Sequence, residues 1–553
     1  MSAETLDIKV RSRTWDGRRI GAIAVVIAAL CALPMIAVLL AALTGGTDTL
    51  QHLIQTVLGR YTATTLSLVV LVATGTFAVG VGAAWLVTMT RFPGVRFFEI
   101  ALVLPLAFPA YVLAYAYTHV LDHPGIVQTT LRGLFGWGPR DYWFPEIRSL
   151  GGAAAMLVLV LYPYVYLLAR AAFLQQSGTT FLAARALGST AWAAFFKVSL
   201  PLARPAIAGG VLLAVMETIA DFGTVAYFGV QTFATGIYTS WFSLADRGGA
   251  AQLALCLLSF ALLLAMLERY QRGDAQYHDG GRRAVAMPPA QLVGLRATGA
   301  VVLCGLPVLL GAVLPGVILF SMGLGSEQDL LSPRYLGFIR NSVTLAGVAA
   351  VVTVLAAICV GFYQRLRPGR TSRTSGYVAR LGYAVPGGVI AVGLMVPFAA
   401  FDNALDAWMR ATFDVRTGLL ITGSIWLLVG AYMVRFLAAA LGAYEGGQAM
   451  VHANMDAASR SLGQGPLGTL RRVHLPILAP SLLTALLIVF VDVMKELPAT
   501  LIMRPFNFDT LAVQAYRLAS DERLEGAAVP SLVIVAMGLL PVILICRQVG
   551  KRR

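Results

Sequence analysis

The chain has 553 residues, 58% of them hydrophobic and only 12% charged, with a formal net charge of +15. A soluble domain carries about a quarter charged residues, so composition excludes a soluble globular protein. The basic residues gather in short segments between apolar runs, a pattern set by membrane orientation and not by nucleic-acid binding.

The polar, basic segment 1–19 predicts a cytoplasmic tail. The apolar run over 20–44 is longer than a signal-peptide core and lacks its small-residue cleavage site, so it predicts an uncleaved first span. Further apolar runs over 63–89, 97–118, 152–175, 202–223 and 250–267 complete a set of six. Each is long enough for a hydrocarbon layer about 30 Å thick.

Between the fourth and fifth runs stands "FLAARALGSTAWAAFFKVSLP", residues 181–201. Ala, Leu and Arg favour helix, Gly188 interrupts it, and Pro201 is tolerated in the first turn of the span that follows. The spacing predicts a short helix, a glycine turn, a second short helix and then a membrane helix. Near the far end of that span, Glu217 and Asp221 are four residues apart and share a helix face.

A basic segment, 268–296, reads as a cytoplasmic linker and contains "RGDAQYHDGGRR" at 272–283. Six more runs follow, over 297–322, 341–363, 377–400, 417–440, 477–499 and 528–546, before a basic tail at 547–553. "AASRSLGQGPLGTLRRVHLP", residues 457–476, repeats the punctuation of the first loop, with Gly463 for Gly188 and Pro476 for Pro201. The expected fold is an all-α polytopic membrane protein of about twelve spans.

Aligning Gly188 with Gly463 sets an offset of 275 that runs without a gap well into the next span. Leu200-Pro201 meets Leu475-Pro476, Glu217 meets Asp492, and Asp221 meets Glu496. Upstream, "LAFPAYVLAYAY" (106–117) resembles "YAVPGGVIAVGL" (383–394) around Pro109 and Pro386. Similarity at a long fixed interval implies duplication. Six spans per copy is an even number, so residues 20–267 and 297–546 enter the membrane the same way up. Two tandem halves related by a pseudo-twofold along the membrane normal are expected. With the N-terminus in the cytoplasm, both loops and the densest basic clusters also fall there.

Ala183-Ala184, Gly188, Val198 and Leu200-Pro201, with Ala458-Ser459, Gly463, Val473 and Leu475-Pro476, resemble the "EAA" loop of bacterial ABC importer permeases. The acidic residue that opens the family's motif is missing: Leu182 and Ala457 hold its positions, and Asp456 is one residue away. The resemblance implies a permease in which Ala183, Ala184, Gly188, Pro201, Ala458, Gly463 and Pro476 belong to loops docking on a separate ATPase homodimer. It also implies a periplasmic binding protein that delivers substrate, alternating access, and ATP bound only on the partner subunit. The four lysines, Lys9, Lys197, Lys495 and Lys551, stand in no phosphate-loop pattern, so this chain supplies no nucleotide site of that kind.

The fused halves, "KELPATLIMRPFNFDTLAVQAY" (495–516) and "ADFGTVAYFGVQTFATGIYTSW" (220–241) resemble ferric-iron importer permeases. Permeases for thiamine, phosphonates or polyamines are the alternatives of like architecture. Carboxylates in spans are costly and usually face an aqueous path or a partner, which makes Glu217, Asp221, Asp492 and Glu496 candidates for a path or gate. Ferric iron, a hard cation, prefers such oxygen ligands, and Tyr115, Tyr117 and Tyr227 would add phenolic oxygens. The bland reading is that the acids are solvated at the outer ends, paired with Lys495 or Arg504, or form a docking surface for the binding protein.

The five cysteines, Cys31, Cys256, Cys304, Cys359 and Cys546, make neither a disulfide framework nor a metal motif. The histidines, His474 included, are scattered and read as solvated loop residues. No nucleophile–base set points to an enzyme. An ion-driven secondary transporter is the more distant rival; it would place ionisable residues mid-span and would have no reason to repeat a docking loop.

Overall fold

A computed structural model describes residues 3–176, 183, 186–272, 289–326, 328, 329 and 332–551. The linker residues 273–288, and the loop residues Leu182 and Ala184, lie outside the described residues. In the first half the main helices are α1 (Ala3–Thr44), α2 (Gly59–Met89), α3 (Val95–Ala101), α4 (Ala110–Leu121), α5 (Ile126–Phe135), α6 (Leu150–Gln175), α7 (Leu200–Ala220), α8 (Gly223–Tyr227) and α9 (Arg247–Arg272). They continue with α10 (Leu295–Val308), α11 (Leu314–Leu324), α12 (Pro333–Leu366), α13 (Arg370–Leu381), α14 (Gly387–Phe413) and α15 (Ile425–Gln448). The last are α16 (Ala453–Ser461), α17 (Leu475–Met494), α18 (Pro498–Met503), α19 (Leu511–Ser520) and α20 (Leu524–Lys551). Among the described residues, strand pairing is confined to Thr90–Arg91 with Ala290–Gln291.

Among the described residues, eleven helices are long and apolar enough to cross a membrane, and up to twelve if a bent pair counts as one span. The chain is an all-α polytopic protein. The bent pair, Val95–Ala107 with Ala110–Phe135, turns by 92°. The run expected as one span over 97–118 is therefore broken. The run expected over 377–400 is broken in the same way, since α13 ends at Leu381 and α14 begins at Gly387. Both breaks sit at a proline. Phe108 (ψ 126) before Pro109 and Val385 (ψ 118) before Pro386 are extended, as clash with the proline ring requires.

The chain divides into two compact units, each drawing on both sequence halves. The first comprises residues 1–53, 237–258 and 329–513. Its centre is α12, α15 and α17, with α1 laid along α12, α13 and α14. A Cβ added at Gly393 of α14 would stand 2.3 Å from the carbonyl oxygen of Pro34, so α1 reaches α14 only because that position is glycine. Gln252 Nε2 of α9 donates to Gly46 O at 2.9 Å and ties α9 to the end of α1.

The second unit comprises residues 54–236, 259–328 and 514–553. Its centre is α2, α6 and α7, joined by the opening helices of the other half, α10 and α11. Tyr117 Oη of α4 donates to Leu310 O at 2.6 Å, between α10 and α11. A nearly buried ion pair, Arg170 Nη2 to Glu99 Oε2 at 3.2 Å, fixes α6 to α3.

Candidate functional site: the repeated glycine loops and the acids beyond them

The two Gly…Leu-Pro loops repeat in backbone geometry as they do in sequence. Gly188 has φ +87° and Gly463 has φ +80°, both in the left-handed region that side chains disfavour. In the second loop the chain leaves α16 through a Schellman turn. Gly463 N donates to Arg460 O and Gln464 N to Ser459 O, both at 3.0 Å. One π-helical turn then precedes each membrane helix, at Phe195–Ser199 and Leu470–His474, five residues each and 275 apart. Such turns are rare and cluster at functional places. Pro201 and Pro476 fall in the first turns of α7 and α17, where a missing N–H costs nothing.

Ala183 is exposed, and Ala458 is exposed on α16. The leucines just before the glycines are strongly exposed, Leu187 at 87% and Leu462 at 79%. Two hollows flank α16. One, of about 360 Å³, is lined by Met455, Ala458, Leu462, Gln464, Arg472 and Val473. The other, of about 240 Å³, is lined by Phe362, Arg365, Leu366, Asp456, Arg460 and Thr469, among others. Small side chains, an exposed leucine and concave flanks make a surface into which a partner's groove can close.

α16 is held to its own unit by polar contacts. Ser459 is buried, and its hydroxyl is 2.8 Å from that of Thr469. Asp456 accepts from Arg365 Nε at 2.7 Å and from His474 Nε2 at 2.7 Å. Arg365 Nη2 also donates to Val451 O at 2.6 Å. Partial burial alone would raise the Asp456 carboxyl, but the hydrogen bonds from Arg365 and His474 and their charges outweigh it and hold it below the ordinary value. His474, expected to be a solvated loop histidine, is instead fully buried, edge-on to the Phe362 ring at 5.2 Å. His474 and Arg365 were not legible as site residues. A histidine immediately before the Leu-Pro end of the loop, in the register that Ser199 holds in the first copy, was the one signal available.

The four acids fall into two kinds. Asp221 accepts from Thr224 N and Val225 N, both at 3.1 Å, and from Thr224 Oγ1 at 3.0 Å, and so caps α8. Glu496 repeats this on α18, accepting from Ala499 N at 3.0 Å, Thr500 N at 3.1 Å and Thr500 Oγ1 at 2.8 Å. Its remaining charge is met by Arg435 Nη1 at 3.2 Å, and its side chain is only 2% exposed. Asp492 pairs with Lys495 at 2.9 Å and is about a quarter exposed. Glu217 is half-buried on α7. Arg504, named as a partner for the acids, pairs instead with Asp509.

The phenols are buried too: Tyr115 fully, Tyr117 and Tyr227 nearly so. Tyr117 is spent on Leu310 O, while the Tyr115 and Tyr227 rings meet edge to face at 4.8 Å. Among the described residues, no group of three or more His, Cys, Asp or Glu could hold a metal ion.

Residues 76–272, which carry the first loop and its acids, match the family model described as "Binding-protein-dependent transport system inner membrane component". The Fe(3+)-transport system permease protein FbpB 2 of Haemophilus influenzae is 26% identical over 537 residues, covering 94% of this chain and 96% of that protein. The ferric transport system permease protein FbpB of Actinobacillus pleuropneumoniae is 25% identical over 79% of this chain, which spans 63% of that relative's length. The molybdenum transport system permease protein ModB of Escherichia coli is 29% identical, over 34% of this chain and 81% of its own length. Residues 76–272 thus carry the inner membrane component domain of binding-protein-dependent transport systems, and the loop that this match covers recurs 275 residues later with its glycine turn and π turn intact.

Proposed function

We propose that this permease imports ferric iron handed over by a periplasmic binding protein, driven by a separate ATPase dimer that docks on the two glycine loops. One observation carries the substrate: a relative named for Fe(3+) transport aligns along 94% of the chain, whereas relatives named for molybdenum or 2-aminoethylphosphonate align along 34% and 36%. The termini and both loops lie on the cytoplasmic side, where the basic clusters 272–283 and 364–373 also fall. ATP is bound by the partner, and this chain needs no cofactor of its own. Closure of the ATPase dimer moves the exposed Leu187 and Leu462 ends of the loops, and the rigid turns behind them pass that motion into α7 and α17. Access to the path then alternates between the two sides.

Of the candidate acids, Asp221 and Glu496 serve as caps that fix the turns after α7 and α17. Glu217 and Asp492 remain the residues for the path or gate. The test is to purify the cognate binding protein and measure its metal content, then follow radiolabelled ferric iron into proteoliposomes holding the full transporter. Iron on the binding protein and ATP-dependent uptake are expected. A binding protein loaded with a phosphonate or an oxyanion, or uptake driven by an ion gradient without ATP, would sink the reading.

A further inference from the structure

The two loops share a left-handed glycine and a π turn but differ in the residues that stand at their anchoring positions. At the offset of 275, the positions of Asp456 and His474 are held by Phe181 and Ser199 in the first copy. Ser199 is buried, its hydroxyl meets no partner among the described residues, and the turn there is fastened by Gln176 Nε2 donating to the Ser199 carbonyl at 2.8 Å. In the second loop the same register carries a charged cluster. Asp456 on α16 joins Arg365 at the end of α12 to His474 in the turn before α17, each contact at 2.7 Å. Charge-assisted hydrogen bonds of this kind are about twice as strong as neutral ones.

Three separate elements meet at Asp456, so one side chain sets where α16 stands against the helices behind it. The geometry is well suited to transmission of force. His474 is fully buried, and Nε2 is the nitrogen that meets the carboxylate. Phe362 packs on its ring and belongs to α12, as Arg365 does. Arg365 also reaches Val451 O, so the segment entering α16 is held as well as the helix itself.

We propose that Asp456, Arg365 and His474 are positioning residues that latch the second coupling loop to α12 and α17. The first loop holds Phe181 and Ser199 at the matching positions, neither of which can form a charged latch, so the two loops pass ATPase motion to the membrane helices with unequal stiffness. The coupling half of this inference rests on the proposed function; the latch itself does not. Asp456 thereby spends on its own chain the charge that would otherwise face the ATPase.

The test uses the full chain, first alone and then assembled with its ATPase and binding protein. Hydrogen–deuterium exchange over 453–462 is compared between wild type, Asp456→Ala and His474→Ser, the last placing in the second loop the residue that the first already carries. Exchange should rise about tenfold in both variants, the change expected for loss of a charged hydrogen bond from a local opening equilibrium. It should stay unchanged over 186–194. In the complex, iron taken up per ATP hydrolysed should fall severalfold while hydrolysis persists, and His474→Gln, which keeps an N–H to donate, should restore the ratio. Unchanged exchange in both variants overturns the latch. Raised exchange with an unchanged uptake-to-hydrolysis ratio overturns its part in coupling. A wild-type chain that assembles with no ATPase overturns the proposed function and the coupling half with it, and the exchange result then still decides the latch.

Discussion

Glu496 Oε1 lies 3.2 Å from Arg435 Nη1 while the same carboxylate caps α18 through Ala499 N and Thr500 N. Every strong acceptor direction of a side chain only 2% exposed is therefore used inside one unit. Removing either partner leaves a buried charge without compensation, at a cost of about 3–5 kcal/mol. Glu496→Ala and Arg435→Ala should each lower the thermal midpoint of the purified permease sharply. The double variant should cost clearly less than their sum, because the two residues act on one interaction. Additive losses would mean that the pair is not coupled.

Asp221 separates a capping role from a path role. Asn caps a helix about as well as Asp, whereas Ala forfeits roughly 0.5–2 kcal/mol. Asp221→Asn should therefore keep both stability and uptake, and Asp221→Ala should lose stability. Glu217→Gln and Asp492→Asn should instead reduce iron uptake with the fold and the ATPase assembly intact. A collapse of uptake in Asp221→Asn at full stability would return that carboxylate to the path.

Among the described residues, chain neighbours apart, no atom lies within 4 Å of where a Cβ would stand at Gly188 or Gly463, so size is not the constraint. The constraint is the positive φ, which costs an ordinary L-residue about 1–2 kcal/mol. Gly463→Ala and Gly463→Leu should impair coupling to a similar degree, and Gly463→Asn, which tolerates the left-handed region, should impair it least. The ratio of uptake to ATP hydrolysis measures this. A penalty that grew with side-chain volume would point to steric exclusion by the docked ATPase.

The pH response of the second loop follows from Asp456. Its carboxyl is held below the ordinary value of 3.8, so it contributes stability that is fully present above that value. The contribution is lost only as pH falls through the lowered, folded-state value. His474 offers an Nε2–H in its protonated form and in the neutral tautomer the contact selects. Proteolytic protection of 453–462 should stay flat from pH 8 to pH 5. A loss of protection inside that window would mean that the Asp456 carboxylate is not what holds the loop.

Much of the loop was legible because glycine and proline act locally. A residue that must adopt positive φ at 188 and 463, and a proline at 201 and 476, write the same punctuation into sequence and backbone. The breaks before α4 and α14 were equally written at Pro109 and Pro386, but their apolar flanks read as continuous spans. The role of Asp221 and Glu496 was not legible. Two acids four residues past a partner acid look the same whether they face water or turn back onto the next helix, and only Thr224, Thr500 and Arg435 in place decide it. His474 was misjudged for a related reason: its basic neighbours Arg471 and Arg472 are exposed, while His474 at the end of the same π turn is buried.

By itself the sequence determined an all-α polytopic membrane protein with two matching loops 275 residues apart, because apolar length and backbone punctuation are properties of short segments. Only the tertiary structure decided that α1 joins the centre built from the second half, while α10 and α11 join the centre built from the first. The physical reason is that a helix face turned to lipid and one turned to another helix are both apolar. What selects the partner is small-residue contact, such as Gly393 against Pro34, together with a few buried polar pairs.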